Sequence, residues 1–580
     1  MNHADKENNT VETNTDEVLE TSDKLSVAEF LGPDWKKYLE LQQLKDLSII
    51  SIGIAATGED PLKDKIMSIT VGAPDHTPLL IDLTQYGLEE MKIFLKPLLE
   101  SPSEKVFYDG KRAINFFHLF DIAVNGPIYD VMLADKLLQA GQWDKKRSFD
   151  DIVIEYLGTA DRIESTTLLP ITNAAALLLK LREATIPLLQ EDNLMDTAAL
   201  EFDCIRAVAG MERNGIRVND KKLMEMLKDL VEQKGVFAKY LHNEMGNINL
   251  DSPKQVLKAL NELGIMVNDT RQETILPFFM EHLWIWNYIS YKNIDHNRST
   301  AKGLLTRINA NTGRLYPKYS QIGTPDGRFS CSDPSLHSIP RGGKFKSCFI
   351  ADDGHKLVIA DFSQIELRIA AEISQDKQMI RAYQWGDDLH RLTAALVTGE
   401  SLAGDSKDKY ALAKVVNSGL VYGMKAEELV EYSLNQHGVS ITLPQAEKYR
   451  YDFFSTYTGI SQWHQDVEFH TYGETRTLGN RRRVWGGYYT NTTEFIKAQL
   501  QGTSADITKK ALHIFHERIQ GSGIRIIGCI HDEIITEAPL AETETAAEIL
   551  RDSMIDAGKM YLKDVPVVVD VFVTDNWYEK

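Results

Sequence analysis

The chain has 580 residues, 43% apolar and 26% charged, and its 64 basic and 84 acidic side chains give a formal net charge of −20. That length exceeds one hydrophobic core and forecasts two to four domains, and no apolar run is long enough to cross a bilayer, which excludes a small disulfide scaffold and a membrane protein. An acidic balance argues against nucleic acid as a partner unless basic groups cluster locally.

Residues 1–24 hold seven acids against two lysines and show no apolar periodicity, so 1–25 reads as an acidic disordered tail. Its polar start, MNHADKENNT, lacks the apolar core of a signal peptide, and Cys204, Cys331, Cys348 and Cys529 form no CxxC pattern. Both features point to a reducing, cytoplasmic setting. Next come β-branched runs at 47–55, 65–72 and 77–83, which read as adjacent strands of an α/β domain. From 195 to about 300 the pattern turns helical, as in 195–215 and 221–245. Beyond 310, KLVIADFS (356–363) reads as a buried strand, RIIGCIHDEIITEA (525–538) as two strands about a tight His-Asp-Glu turn, and VPVVVDVFV (565–573) as a last strand. Basic residues do cluster, in 307–328 and in TRTLGNRRR (475–483), so a basic groove on an acidic molecule is expected.

Two carboxylate positions stand out. Asp361 ends an apolar strand, and Asp532 with Glu533 sits between two others; such oxygen ligands suit Mg²⁺, although acids also end strands for purely structural reasons. In DKYALAKVVNSGLVYG (408–423), Lys414 and Tyr422 lie about two helical turns apart on one face with Tyr410 and Lys407. A cation and an aromatic on one face can hold a triphosphate and stack on a base; an ordinary amphipathic helix has the same pattern.

DFSQIELR (361–368), KxxNxGxxYG (414–423) and the HDE turn (531–533) resemble, in order and context, the three polymerase motifs of family A DNA polymerases, the bacterial polymerase I type. TPDGRFSCSDPSLHSIP (324–340), DLHRLTAALVTG (388–399), RTLGNRRR (476–483), QGTSADITKKA (501–511), NLDSPKQVLKAL (249–260) and the closing Asn576-Trp577 are similar to family segments as well. The resemblance implies an α/β and α+β multidomain chain: a ribonuclease-H-like exonuclease-type domain over 26–190, then a right-hand polymerase with a helical thumb (195–310), a palm (311–375 and 520–580) and fingers with connecting helices (376–519).

The same resemblance implies residue roles. Asp361 and Asp532 would hold two Mg²⁺ ions, with Glu533 an accessory carboxylate. Lys414 and His390 would meet the incoming deoxynucleoside triphosphate, with Gln364, Tyr410 and Ser418 also in the nucleotide site. Glu366 would crowd the sugar 2′ position and exclude ribonucleotides, and Tyr422 would stand beside the templating base. Arg328, Gln501 and His531 would contact the primer terminus and minor groove, where correct pairs present nearly the same acceptors. Arg481 and Arg482 would touch template or backbone, with surface ion pairing the competing reading. Primer–template DNA and deoxynucleotides are the implied partners of a monomer, acting at the bacterial nucleoid or as a phage-encoded protein in its host.

Some positions depart from the family. Tyr410 stands where the family usually has a phosphate-binding arginine, Ser418 replaces an aromatic, and SLHS (335–338) replaces NLQN. In the amino-terminal domain Gly53, Ala55, Ala113 and Ala174 occupy the positions of the four metal-binding carboxylates of a 3′→5′ exonuclease, which removes the means of holding its metals. Asp130 matches a structural position. No segment reads as a 5′-nuclease domain. A polymerase without proofreading is therefore expected; a non-catalytic DNA-binding replication or repair factor is the alternative, and a nuclease is disfavoured.

Overall fold

The computed structural model describes residues 29–30, 44–84, 88–142, 147–158, 173–340, 343–398, 407–469, 473–486 and 491–578. The expected acidic tail lies outside these residues.

The first unit is a six-stranded mixed sheet built from β1 (Glu29–Phe30), β2 (Ile49–Ala56), β3 (Ile66–Gly72), β4 (Leu79–Asp82), β5 (Glu104–Phe107) and β6 (Ile128–Asp130) in the order β1-β4-β3-β2-β5-β6. The three β-branched runs are neighbours, as expected: β3 pairs antiparallel with both β2 and β4. Ile50, Ile52, Ile69, Val71 and Ile81 are buried, together with the apolar face of helix Ala174–Glu191. Asp130 ties two helices together. One oxygen takes the Gly110 N–H at the start of α1 (Gly110–His118), and the other takes the Leu133 N–H in the first turn of α2 (Val131–Leu138). Burial and the charge of Asp109 push the Asp130 carboxyl up to about 7. Asp130 is thus structural.

Helix α3 (Met195–Asn214) joins the two halves of the molecule. Its Ile205 and Ala209 belong to the core of the first unit, whereas Cys204, Val208 and Met211 belong to the largest core. This helix is therefore a bridge between the two cores. Two long helices, Asp220–Met245 and Trp284–Leu305, pack on each other, and their far end closes a small core of its own around Leu241, Val256, Leu260, Ile285 and Tyr288.

The largest core is organised by a four-stranded antiparallel sheet of β7 (His355–Phe362), β8 (Arg525–Ile530), β9 (Glu533–Pro539) and β10 (Val569–Thr574), ordered β8-β9-β7-β10. Leu357, Val358, Ile359 and Ala360 of the central strand are fully buried, which explains why that run is apolar without alternation. Ile530 pairs with Glu533, so only His531 and Asp532 form the turn, and His531 takes a left-handed backbone with φ 57. The last strand starts later than its apolar run suggests. Residues ahead of it serve as partners: the Pro566 carbonyl accepts from Arg368, and the Val565 N–H donates to Glu372.

Candidate active site

Asp361 is the penultimate residue of the central strand β7, opposite Glu533 of β9 in register, so the strand end faces the His531–Asp532 turn. Three residues later the chain reverses sharply. Gln364 adopts a left-handed backbone with φ 53, and α4 (Ile365–Ser374) starts immediately after it, placing Glu366 in the first turn, where a negative charge suits the helix dipole. The strand-turn-helix of DFSQIELR therefore sets Asp361 and Glu366 on one rim. Burial and the neighbouring charge of Asp361 push the Asp532 carboxyl up to about 7. A buried carboxylate with a second one beside it has the donor chemistry for hard divalent cations such as Mg²⁺.

Glu533 is a different case. It is buried, and its Oε1 accepts from the indole Nε1 of Trp577 at 2.7 Å, with the Lys346 ammonium 3.9 Å away. The carboxylate thus anchors Trp577, next to the carboxylate rim.

Four expected contact residues form one hydrogen-bonded chain. Gln501, on the long helix Thr492–Arg518, donates to the Tyr422 hydroxyl (3.3 Å), which donates to Glu366 Oε2 (2.6 Å), while Arg328 holds Glu366 Oε1 at 2.5 Å. His531 is exposed at the turn, with its ring 5.4 Å from that of His337. These groups surround the carboxylate rim.

The second cluster lies on α5 (Leu389–Thr398) and α6 (Lys407–Val421). Lys414 is exposed, its ammonium 5.0 Å from the centre of the Tyr410 ring, and Ser418 lies one turn further on, half-buried. The Lys407 side chain lies outside the described residues. His390 is buried, and its Nδ1 lies 2.9 Å from the amide nitrogen of buried Asn417. Burial pulls the His390 imidazole down to about 4, so the ring is neutral at pH 7; with Nδ1 accepting, Nε2 carries the proton and is the donor. Asp388 joins this cluster to the rim: it accepts from the Tyr410 hydroxyl (2.9 Å), the His390 N–H (2.8 Å) and the Gln364 amide (3.1 Å). The Gln364 oxygen in turn accepts from Tyr383 at 3.1 Å. Sequence reasoning gave Asp388 and Asn417 no role, although both lie inside motifs it quoted.

Arg481 is not brought to an open surface: it is buried between Glu201 and Asp506, at 2.5 and 2.7 Å. Its expected DNA contact is corrected to a buried ion pair. Arg482 is partly exposed and bridges Asp192 and Glu474 at 2.7 and 2.9 Å, which is the competing reading, a surface ion pair.

In the first unit, Gly53, Ala113 and Ala174 line one mostly apolar cavity of about 180 Å³ with Phe107, Phe116 and Phe149. Ala55, two residues along β2 and on the same face as Gly53, is half-buried. A Cβ at Gly53 would stand 2.5 Å from Thr70 Oγ1 and 3.0 Å from the Ala174 Cβ, so a side chain there requires the Thr70 hydroxyl to move. Asp109 and Asp150, which sequence reasoning passed over, also line the cavity, and Asp109 accepts from the Arg112 N–H.

The model of DNA polymerase family A matches residues 220–579. The chain belongs to that family, the DNA-directed DNA polymerases. It is 33% identical to DNA polymerase I of Aquifex aeolicus over 69% of this chain and 70% of that protein. It is 28% identical to DNA polymerase I of Pseudomonas aeruginosa over 93% of this chain and 64% of that protein, so it spans about two-thirds of the length of these relatives. Among solved structures, the polymerase domain of Pol1 from M. smegmatis, in complex with DNA primer-template and dNTP, superimposes with a TM-score of 0.85 at 25% identity, covering 95% of this chain and 99% of that one. The family fold, mixed α and β, is therefore shown. Among the described residues, no helix is long and apolar enough to cross a membrane.

Proposed function

We propose that the chain is a template-directed DNA polymerase that adds deoxynucleotides to a primer 3′ end with two Mg²⁺ ions and does not proofread. The observation that carries the reading is the Asp361–Asp532 pair, set at the end of a buried strand and facing a two-residue turn, with the charge of Asp361 raising the proton affinity of Asp532. Residues 311–375 and 520–580 act as palm, 376–519 as fingers, 195–310 as thumb, and 26–190 as a ribonuclease-H-like unit whose exonuclease site lacks its carboxylates.

Asp361 and Asp532 would hold the ions, which when bound supply Lewis-acid charge at the attacking 3′-oxygen and the leaving pyrophosphate. Lys414 gives a point charge to the triphosphate, and His390 donates from Nε2 without changing its protonation state. Glu366, fixed at both oxygens, is a rigid obstacle to a 2′-hydroxyl. Arg328, Gln501 and His531 face the primer terminus, and Tyr422 stands by the templating base.

Primer extension with the purified chain, Mg²⁺ and four deoxynucleotides tests this: template-directed products are expected, and Asp361→Ala should lose them. Duplex binding without extension would favour the non-catalytic alternative.

A further inference from the structure

The segment leading to Arg328 is gripped from both sides of the seam between the two halves of the molecule. From the first unit, the Lys111 ammonium of α1 donates to the Tyr319 carbonyl and to Glu212 Oε1 (2.6 Å), and the same Glu212 oxygen accepts the Tyr319 N–H at 2.7 Å. Lys136 of α2 donates to Ser320 Oγ (3.2 Å) and to the Ile322 carbonyl (3.1 Å). The Ile322 side chain is buried in the core of that unit. Just past α2, Gly141 has φ 80, and a Cβ there would stand 3.0 Å from the Pro325 carbonyl oxygen and 2.8 Å from Arg483. From the polymerase half, Gln321 donates to the Glu201 carbonyl (2.8 Å) and Lys509 donates to the Gly327 carbonyl (2.6 Å). The next residue is Arg328, 2.5 Å from Glu366.

We propose that the first unit is retained as a buttress, in which Lys111 and Lys136 are positioning residues that fix 319–323 and, through them, the engagement of Arg328 with Glu366. This rests on reading Glu366 as the sugar gate. A cavity of about 360 Å³ opens along the seam, lined by Lys111, Lys136, Tyr319, Ile322 and Gly323, so the segment has room to shift when released. Burial also pulls the Lys136 ammonium below the usual lysine range. A charge held at that solvation cost is poorly explained by stability alone, because an apolar side chain of similar volume fills such a place more cheaply. The short path from Ile322 to Arg328 transmits a shift because both ends are hydrogen-bonded and the middle abuts Gly141.

The test uses the full chain carrying Lys136→Met, which keeps the apolar stem and removes both hydrogen bonds. The ratio of specificity constants for ribonucleotide against deoxynucleotide is expected to rise by roughly two- to thirtyfold, the range for side chains coupled to a site they do not touch. Thermal midpoint and duplex affinity should stay near wild type, Lys136→Arg should recover most of the ratio, and Gly141→Ala, which presses on Pro325, should shift it too. Glu366→Ala is run alongside. If Glu366→Ala changes the ratio while Lys136→Met and Gly141→Ala do not, the buttress is refuted and the gate stands. If Glu366→Ala leaves the ratio unchanged, the gate reading falls, and extension from a mispaired primer terminus decides the buttress: faster extension by Lys136→Met upholds it, and wild-type extension overturns it.

Discussion

The Tyr410 hydroxyl donates to Asp388 Oδ2 at 2.9 Å, in the position where the family usually carries an arginine. Burial and the Asp388 charge push the phenol up to about 12, so it stays a neutral donor. A hydrogen bond of about 1 kcal/mol thus ties Tyr410 to Asp388, and the proposed triphosphate site has one cation fewer than an arginine would give it. Tyr410→Phe should raise the KM for deoxynucleotides about fivefold with little change in kcat. Tyr410→Arg should lower KM and steepen its salt dependence. Single-turnover titrations at two ionic strengths measure both.

The two lysines that precede Tyr410 in sequence on α6 are Lys407 and Lys409. Lys407 lies seven residues before Lys414, about two turns along α6, so it shares the Lys414 face. Alanine at Lys407 should weaken nucleotide use more than alanine at Lys409. Equal, wild-type KM values for both variants would place the compensation elsewhere.

Asp361→Ala or Asp532→Ala should reduce incorporation on the order of a thousandfold, the scale of losing a preorganised electrostatic group. Duplex affinity should change little, because it is spread over many phosphate contacts. Rapid-quench incorporation together with fluorescence anisotropy separates the two effects, and wild-type turnover in either variant would refute the metal assignment.

The carboxylate rim was legible because its geometry is local: a buried strand ends at Asp361, and a two-residue turn presents Asp532. The roles of Arg481 and Glu533 were not legible. Arg481 meets Glu201 across 280 residues, and Glu533 meets Trp577 across 44, so tertiary contacts buried an apparent surface cation and tied an acid of the turn to an indole. Asp388 was hidden for the opposite reason. It sits two residues from His390 in a motif that draws attention to the histidine, and only the fold brings Tyr410 and Gln364 to its oxygens.

Lys105, on β5, is buried and donates to the Ser101 carbonyl and hydroxyl. Burial, followed by the Arg206 charge, pulls its ammonium down to about 8. Below pH 8 both folded and unfolded chains carry the proton, and folding bears the desolvation cost. Between about 8 and the ordinary lysine value near 10.4, the unfolded chain binds the extra proton, so stability rises with pH. The thermal midpoint of wild type relative to Lys105→Met should therefore climb across that window; a constant difference would show that the folded lysine keeps its ordinary proton affinity.

The last prediction concerns the proposed lack of proofreading. Incubated with Mg²⁺ and a labelled, mispaired primer terminus but no nucleotides, the chain should leave the primer intact, because Gly53, Ala55, Ala113 and Ala174 offer no oxygen to a metal. Shortening that persists in Asp361→Ala and Asp532→Ala would reveal a hydrolytic site, and Asp109 and Asp150, at the cavity wall, would be the first residues to replace. Restoring four acids through Gly53→Asp, Ala55→Glu, Ala113→Asp and Ala174→Asp should also fail. The Cβ of residue 53 would meet Thr70 Oγ1 at 2.5 Å, and the carboxylates at 53, 113 and 174 would enter the cavity lined by Phe107, Phe116 and Phe149. The fourfold variant should lose several kcal/mol of stability, on the scale of overpacking plus buried unpaired charge. Pairing Gly53→Asp with Thr70→Ala should recover part of that loss, because the clash is with the threonine hydroxyl. A fourfold variant as stable as wild type and active on the mispaired terminus would show that the site had kept its shape and lost only its acids.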